Sequence, residues 1–310
     1  WAAARAGFRL VPGVPRLTPE LKQLAAIAAP AMLAGGVVQV NLLVGRQVAS
    51  YFDGAIQYLN LADRLYQLPL GVVAIAIGVV LLPDLSRRLA ANDTQGGRDG
   101  LNRATEFALL LTLPASVALI LVADPIVSVL YQRGAFSPEA AQRTAVVTAI
   151  YGAGLPAFVL QKVLQPLFFA RHDTKTPFQY ALVAMVLNSV IAIAGAFLIG
   201  FYAAAWATTL AGWAMVFLLW RGSRGMGEAV QLDARLKSRS WRIVVSCAVM
   251  GAALLATEAL LGQSLYAAGV RYAALAVLVG VGIVSYFATA QVIGATSLGD
   301  IRRSVRRNQG

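Results

Sequence analysis

The chain has 310 residues, of which 58% are hydrophobic and only 13% charged, with a formal net charge of +12. Soluble domains carry about 25% charged residues, so composition excludes an ordinary soluble fold and predicts an all-α integral membrane protein. A single cysteine (Cys247) and a single histidine (His172) exclude an internal disulfide framework, a histidine-based metal cluster and a Ser-His-Asp triad.

Residues 1–19 begin at Trp1, carry Arg5, Arg9 and Arg16 among prolines and glycines, and read as a cytoplasmic linker from an upstream lobe. They lack the ordered charged, apolar and cleavage regions of a signal peptide. Eight apolar segments follow, at about 22–52, 55–85, 104–123, 142–170, 178–199, 201–220, 242–261 and 270–293. Charged or turn-forming stretches separate them. Residues 20–221 are expected to form a six-helix lobe, 222–241 a basic cytoplasmic loop, 242–293 a helix pair and 294–310 a basic cytoplasmic tail. Pro30, Pro69, Pro114, Pro156 and Pro166 fall inside predicted helices, which membrane helices tolerate because neighbours satisfy the freed carbonyls.

The positive charge is sorted. With the N-terminal end placed in the cytoplasm, the cytoplasmic side collects Arg87, Arg88, Arg98, Arg103, Arg171, Lys175, the run from Arg221 to Arg242, and Arg302 to Arg307. The opposite side keeps only Arg133, Arg143 and Arg271. This is the positive-inside pattern. It predicts an inner-membrane, multi-pass protein with both ends of this chain cytoplasmic. It also accounts for the net charge without nucleic acid.

Three cations remain inside membrane segments: Arg46, Arg64 and Lys162. Arg64 stands out. The apolar run Leu70 to Leu82 is too short to span about 30 Å of hydrocarbon, so its helix must start near Ala55 and bring a polar half into the bilayer. At 1.5 Å per residue Arg64 then lies near mid-depth, where a guanidinium facing lipid costs about 3 kcal/mol or more. It must face protein or a wet cavity. Asp63 and Arg64 are neighbours in sequence and point about 100° apart, so they cannot simply cancel. Asn60 with Arg64, and Asp63 with Gln67, form two adjacent polar stripes, one able to bind an anion and one able to orient the donor. An ion pair with another helix is the competing reading, but five polar residues (Gln57, Asn60, Asp63, Arg64 and Gln67) exceed what one pair requires. Arginine suits phosphate because its planar fork binds oxygens in pairs.

Arg46 lies near the outer interface, where snorkelling to headgroups competes with cavity lining. Lys162, beside Gln161 and Gln165, lies deeper and is open to cavity lining or structural pairing. Gly71, Ala74 and Gly78 share a face suited to close helix packing. Thr176 and Pro177 read as the cap and first residue of a helix, and Ser137-Pro138 as another. No Asp, Glu or His cluster suited to metal or general-base work is visible, so no enzyme activity, metal or cofactor is expected.

The motifs Gln39-Val-Asn-Leu-Leu-Val44, Ala49-Ser-Tyr-Phe52, Ala62-Asp-Arg-Leu65, Pro69-Leu-Gly-Val72, Leu81-Leu-Pro-Asp-Leu-Ser86, Tyr131-Gln-Arg-Gly-Ala-Phe136 and Arg171-His-Asp-Thr-Lys-Thr-Pro177 occur in the order seen in a known family. Together they resemble the MurJ (MviN) lipid II flippases of the MOP exporter superfamily. The resemblance covers about residues 20–310. It implies the second lobe of a two-lobe transporter plus a C-terminal helix pair, with the first lobe upstream. It further implies translocation of undecaprenyl-diphosphate-linked disaccharide-pentapeptide (lipid II) by alternating access, a place in peptidoglycan biosynthesis, and contact with membrane lipids and cell-wall synthesis machinery. Arg64 maps onto a cavity arginine of the family. Gln67 stands where some relatives carry Glu. The positions matching the sodium site of some relatives (Gly45, Asn188, Ala192 and Thr208 or Thr209) include no acid, which favours membrane potential as the driver. The alternative is a flippase for another polyprenyl-diphosphate-linked oligosaccharide, of O-antigen or capsule type.

Overall fold

The computed structural model describes residues 18–78, 83, 87–88, 91, 93–171, 173–267 and 269–295. Most of the N-terminal linker, His172, the end of the second expected segment and the basic tail lie outside them. The elements are α1 (Pro19–Ala49), α2 (Ala55–Ala76), α3 (Thr94–Leu121), α4 (Ala123–Tyr131), α5 (Pro138–Phe169), α6 (Lys175–Ile199), α7 (Tyr202–Ser223), α8 (Ala234–Leu261) and α9 (Arg271–Val292). Short 3₁₀ turns at Arg224–Val230 and Gly262–Leu265 follow α7 and α8.

Eight of these helices coincide with the eight expected segments, so the fold is an all-α membrane bundle. Six helical stretches among the described residues are long and apolar enough to cross a bilayer: Thr94–Leu121, Pro138–Phe169, Lys175–Ile199, Tyr202–Glu228, Ala234–Leu265 and Arg271–Val292. α2 falls outside this set because its first half is polar. α3 starts at Thr94 and α8 at Ala234, several residues before the expected 104 and 242. Their polar first turns lie ahead of the apolar runs that mark the segments. α4 was not expected at all.

Caps explain most of the starts. Thr18 Oγ1 accepts from the Leu21 amide at 3.3 Å, Ser137 Oγ from Ala140 at 3.1 Å, and Asp233 Oδ1 from Leu236 at 2.6 Å, each satisfying a free N-terminal donor. α6 departs from expectation. It begins at Lys175, before Thr176 and Pro177, and Asp173 Oδ1 accepts from the Thr176 amide at 2.9 Å. A carboxylate two residues before the helix thus takes the role expected of Thr176. Hydrogen bonds from Thr176 hold the Asp173 carboxyl below the usual carboxylate range.

The prolines leave a clear signature. Pro114 cannot donate to the Leu110 carbonyl, and Tyr286 Oη on α9 donates to that oxygen at 2.6 Å. Pro156 likewise frees the Gly152 carbonyl, which accepts from Ser116 Oγ on α3 at 2.7 Å. Each of these two helices is therefore stitched to a neighbour at the carbonyl that Pro114 or Pro156 released.

α5 is the central post, packing against α2, α3, α4 and α7, while α6 packs on α7 and carries α1. Val73, Leu101, Val163, Leu167, Phe168 and Leu219 form the main core of the lobe. Close approach occurs at Gly152, where an added Cβ would lie 2.8 Å from Leu119 Cβ, and at Gly282, 2.9 Å from Leu254 Cδ2. The expected packing face of Gly71 and Gly78 is different: an added Cβ at either meets nothing within 4 Å. Among the described residues, no helix covers it.

The α8–α9 pair has its own core, centred on Ile243, Leu254, Leu278 and Tyr286 and completed by Leu109, Leu113 and Val117 of α3. Charge fastens its basic end. Glu106 on α3, only 8% exposed, is bridged by Arg103, Arg239 and Arg235, and Arg103 also pairs with Asp233. At the other end Arg271 Nη1 donates to the Gln132 carbonyl at 3.0 Å, and Tyr266 Oη to Asp124 Oδ2 at 2.8 Å.

Candidate functional site

α2 is held by one face. Ala55 and Ala62 are fully buried against Val147 and Tyr151 of α5, and Tyr58 packs on Phe201 with ring centroids 5.7 Å apart. Leu65 joins a second cluster with Val127 and Ala141. Seated this way, the helix sends its polar residues to two other sides. α1 leans on α6 and barely meets α2, leaving space between them.

That space is a cavity of about 870 Å³ bounded by α1, α2, α5, α6 and α7. Four of the expected site residues line it: Arg46, Asn60, Asp63 and Lys162. Tyr66 forms part of the wall, with centroids 5.5 Å from Tyr151 and 5.6 Å from Phe158. Gln161 is tied to the Gly212 carbonyl at 3.0 Å. Arg46 is near enough to act electrostatically on the Asp63 carboxylate, which accepts a hydrogen bond from Gln67 Nε2. Gln67 itself lies exposed outside the cavity lining. Among the described residues neither Arg46 nor Lys162 forms a salt bridge. Both residues stand on the cavity wall.

Arg64 does not join them. It lines a separate outer pocket of about 680 Å³ with Ser50, Asp53, Gln57 and Asn60. Gln57, Asn60 and Arg64 follow one another at spacings of three and four residues, which makes a single stripe along α2, and Asp53 borders the same pocket from the turn before the helix, ahead of Gly54 at φ 71°. Arg64 is exposed and, among the described residues, has no salt-bridge partner. Asn60 borders both spaces. The 100° offset of Asp63 and Arg64 thus sorts one residue inward and the other outward.

Sequence reasoning missed two elements of this geometry. Asn41 on α1 lines the cavity, and its buried Oδ1 has no hydrogen-bond partner among the described residues. The signal in the sequence was a pair of amides, Gln39 and Asn41, in an apolar run. Asp53 was missed because it lies in the turn before the helix, outside the helical spacing that marks Gln57, Asn60 and Arg64.

In fold, the helical bundle resembles solved transporters. An outward-facing multidrug resistance MATE family transporter of the MOP superfamily aligns with a TM-score of 0.57 at 17% identity, covering 87% of this chain and 63% of that one. A structure described as lipid II flippase MurJ in an inward closed conformation aligns with a TM-score of 0.73 at 24% identity, covering 90% of this chain and 56% of the other.

The family model for "Lipid II flippase MurJ" matches residues 1–279. The probable lipid II flippase MurJ of Rhizobium meliloti is 42% identical over 316 residues, covering 99% of this chain and 58% of the relative. That of Rhizobium tropici is 41% identical over 311 residues, covering 98% and 57%. The chain belongs to the MurJ family, and it spans somewhat more than half the length of these curated relatives.

Proposed function

We propose that this chain forms one half of the transport path of a lipid II flippase of the bacterial inner membrane. Residues 20–221 are the second lobe, 242–293 the helix pair, and both ends of the chain lie in the cytoplasm. The observation that carries this reading is Arg64. It is a guanidinium with no salt-bridge partner among the described residues, in a pocket it shares with Ser50, Gln57 and Asn60, on a helix whose second half is apolar. An intramembrane cation without a partner calls for an anion, and a diphosphate is the anion of a polyprenyl-diphosphate-linked precursor. Arg64 binds two of its oxygens through the guanidinium fork. Asn60 and Gln57 continue the stripe towards the outer surface, and the polyprenyl tail stays in lipid. The lobe alternates its access to the two sides as a transporter does, and the residues bind substrate without changing its covalent bonds. Membrane potential acting on the charged pathway supplies the drive.

The test is rescue of bacteria depleted of their own lipid II flippase by the full reading frame that contains this chain. Growth at normal protein levels is expected. Properly inserted protein without rescue would contradict lipid II as the cargo and point to another polyprenyl-linked glycan.

A further inference from the structure

The cavity between α1, α2 and α5 has a chemistry that the diphosphate reading of Arg64 leaves unused. Its walls carry two cations, Arg46 and Lys162, on different helices, with the Asp63 carboxylate between them in sequence and bordering the same space. They also carry a buried acceptor, Asn41 Oδ1, that has no hydrogen-bond partner among the described residues. A buried acceptor without a donor costs about 1–3 kcal/mol, and cations inside a membrane protein are costly until matched. The occupant must therefore be anionic and must also bring N–H or O–H donors.

These requirements discriminate between the parts of a lipid-linked precursor. A diphosphate offers acceptors only, so it leaves Asn41 Oδ1 unmet and sets its charge beside Asp63. A neutral sugar supplies donors but brings no anion, so Arg46 and Lys162 keep only the Asp63 carboxylate between them. A peptide supplies both: carboxylates for the two cations, and amide or ammonium N–H groups for Asn41 and Asp63. The volume agrees, since about 870 Å³ falls in the range of about 300–1,000 Å³ that holds drug-sized ligands and far exceeds a diphosphate.

We infer that this cavity is the binding site for the peptide stem of the lipid-linked substrate, with Arg46 and Lys162 holding its carboxylates and Asn41 and Asp63 receiving its N–H groups. The inference rests on the proposed function, because it assigns a second part of the same substrate to a second site. Asn60, bordering both spaces, is where the diphosphate pocket and the peptide cavity meet.

The test uses the full-reading-frame protein in lipid nanodiscs and two ligands: lipid II with its pentapeptide, and the same lipid-linked disaccharide with the peptide removed. The wild type is expected to bind the peptide-bearing lipid about tenfold more tightly, the size of one charged hydrogen bond. Lys162→Gln and Asn41→Leu should each erase most of that preference while changing affinity for the peptide-free lipid by less than about twofold. Arg64→Ala should weaken both ligands equally. Unchanged preference in both cavity variants, or equal loss for both ligands, would overturn the peptide site and leave the diphosphate reading intact. No effect of Arg64→Ala on either ligand would instead strike the diphosphate reading. A wild type that binds neither ligand would remove both. Two variants on different helices guard against one that merely misfolds, and thermal melting of each verifies the fold.

Discussion

Two groups of charges in this molecule meet opposite fates. At the basic end of α3 and α8, Glu106 is surrounded by Arg103, Arg235 and Arg239, and Asp233 takes the other side of Arg103. Around α2, Arg46, Arg64 and Lys162 line clefts and have no salt-bridge partner among the described residues. The first group uses its charge up inside the protein, where it fixes the helix pair to the lobe. The second keeps its charge available. In a medium where unmatched charge is expensive, a cation is left open only where something outside the chain completes it.

The comparison can be broken most severely by giving an open cation a partner. Asn60→Glu places a carboxylate one turn before Arg64, the favourable order for a helical ion pair. Every positive charge remains, yet rescue of flippase-depleted cells should fall below detection at unchanged protein level. Growth equal to wild type would show that an open Arg64 is not needed.

Removing a partner from the closed group should act on stability instead. Glu106→Gln leaves three guanidinium groups facing a neutral amide. The expected loss is about 2 kcal/mol, below the roughly 3–5 kcal/mol of fully buried pairs because the arginines stay partly solvated. Thermal unfolding in detergent should show a lowered midpoint, with early release of α8 and α9 to protease, while binding of lipid II by folded protein stays unchanged. Tyr286→Phe tests the same junction without charge. It strips the donor from the Leu110 carbonyl that Pro114 freed, and a cost of about 1 kcal/mol is expected for an interhelical hydrogen bond in a membrane. An unfolding midpoint equal to that of the wild type would remove this stitch from the account.

The smallest effect is a pH dependence at the α5–α6 turn. Hydrogen bonds from Thr176 lower the Asp173 carboxyl in the folded protein. Its contribution is therefore complete above the unfolded carboxylate value of about 4 and fades as pH falls through the lower folded value. Exchange of the Thr176 amide, corrected for intrinsic rate, should be protected at neutral pH and lose that protection only in strong acid. Asp173→Asn should blunt the transition, and an identical profile in that variant would rule out the carboxylate as its source.

The sequence revealed the segments because a bilayer imposes length and polarity on whatever crosses it. It also revealed that Asp63 and Arg64 would face different ways. It did not reveal α4, whose nine residues are too few for a periodic pattern and belong to no span. The gathering of Arg46, Asp63 and Lys162 around one cavity was equally hidden. They come from three helices, and only the lean of α1 towards α6 brings them to a common space. Pairing of Pro114 with Tyr286 and of Pro156 with Ser116 was invisible for the same reason. A sequence shows which carbonyl a proline frees, whereas the hydroxyl that answers it depends on packing. The Gly71–Gly78 face misled because small residues permit close approach without supplying the partner helix.

The most direct measurement is exposure of lipid II on the outer leaflet in flippase-depleted cells that carry the full reading frame with either Arg64→Ala or Arg103→Ala, at matched levels of inserted protein. Both changes delete one arginine, from the open group in one case and the closed group in the other. The account predicts that exposure is lost with Arg64→Ala and remains near wild type with Arg103→Ala. Wild-type exposure with Arg64→Ala would contradict it.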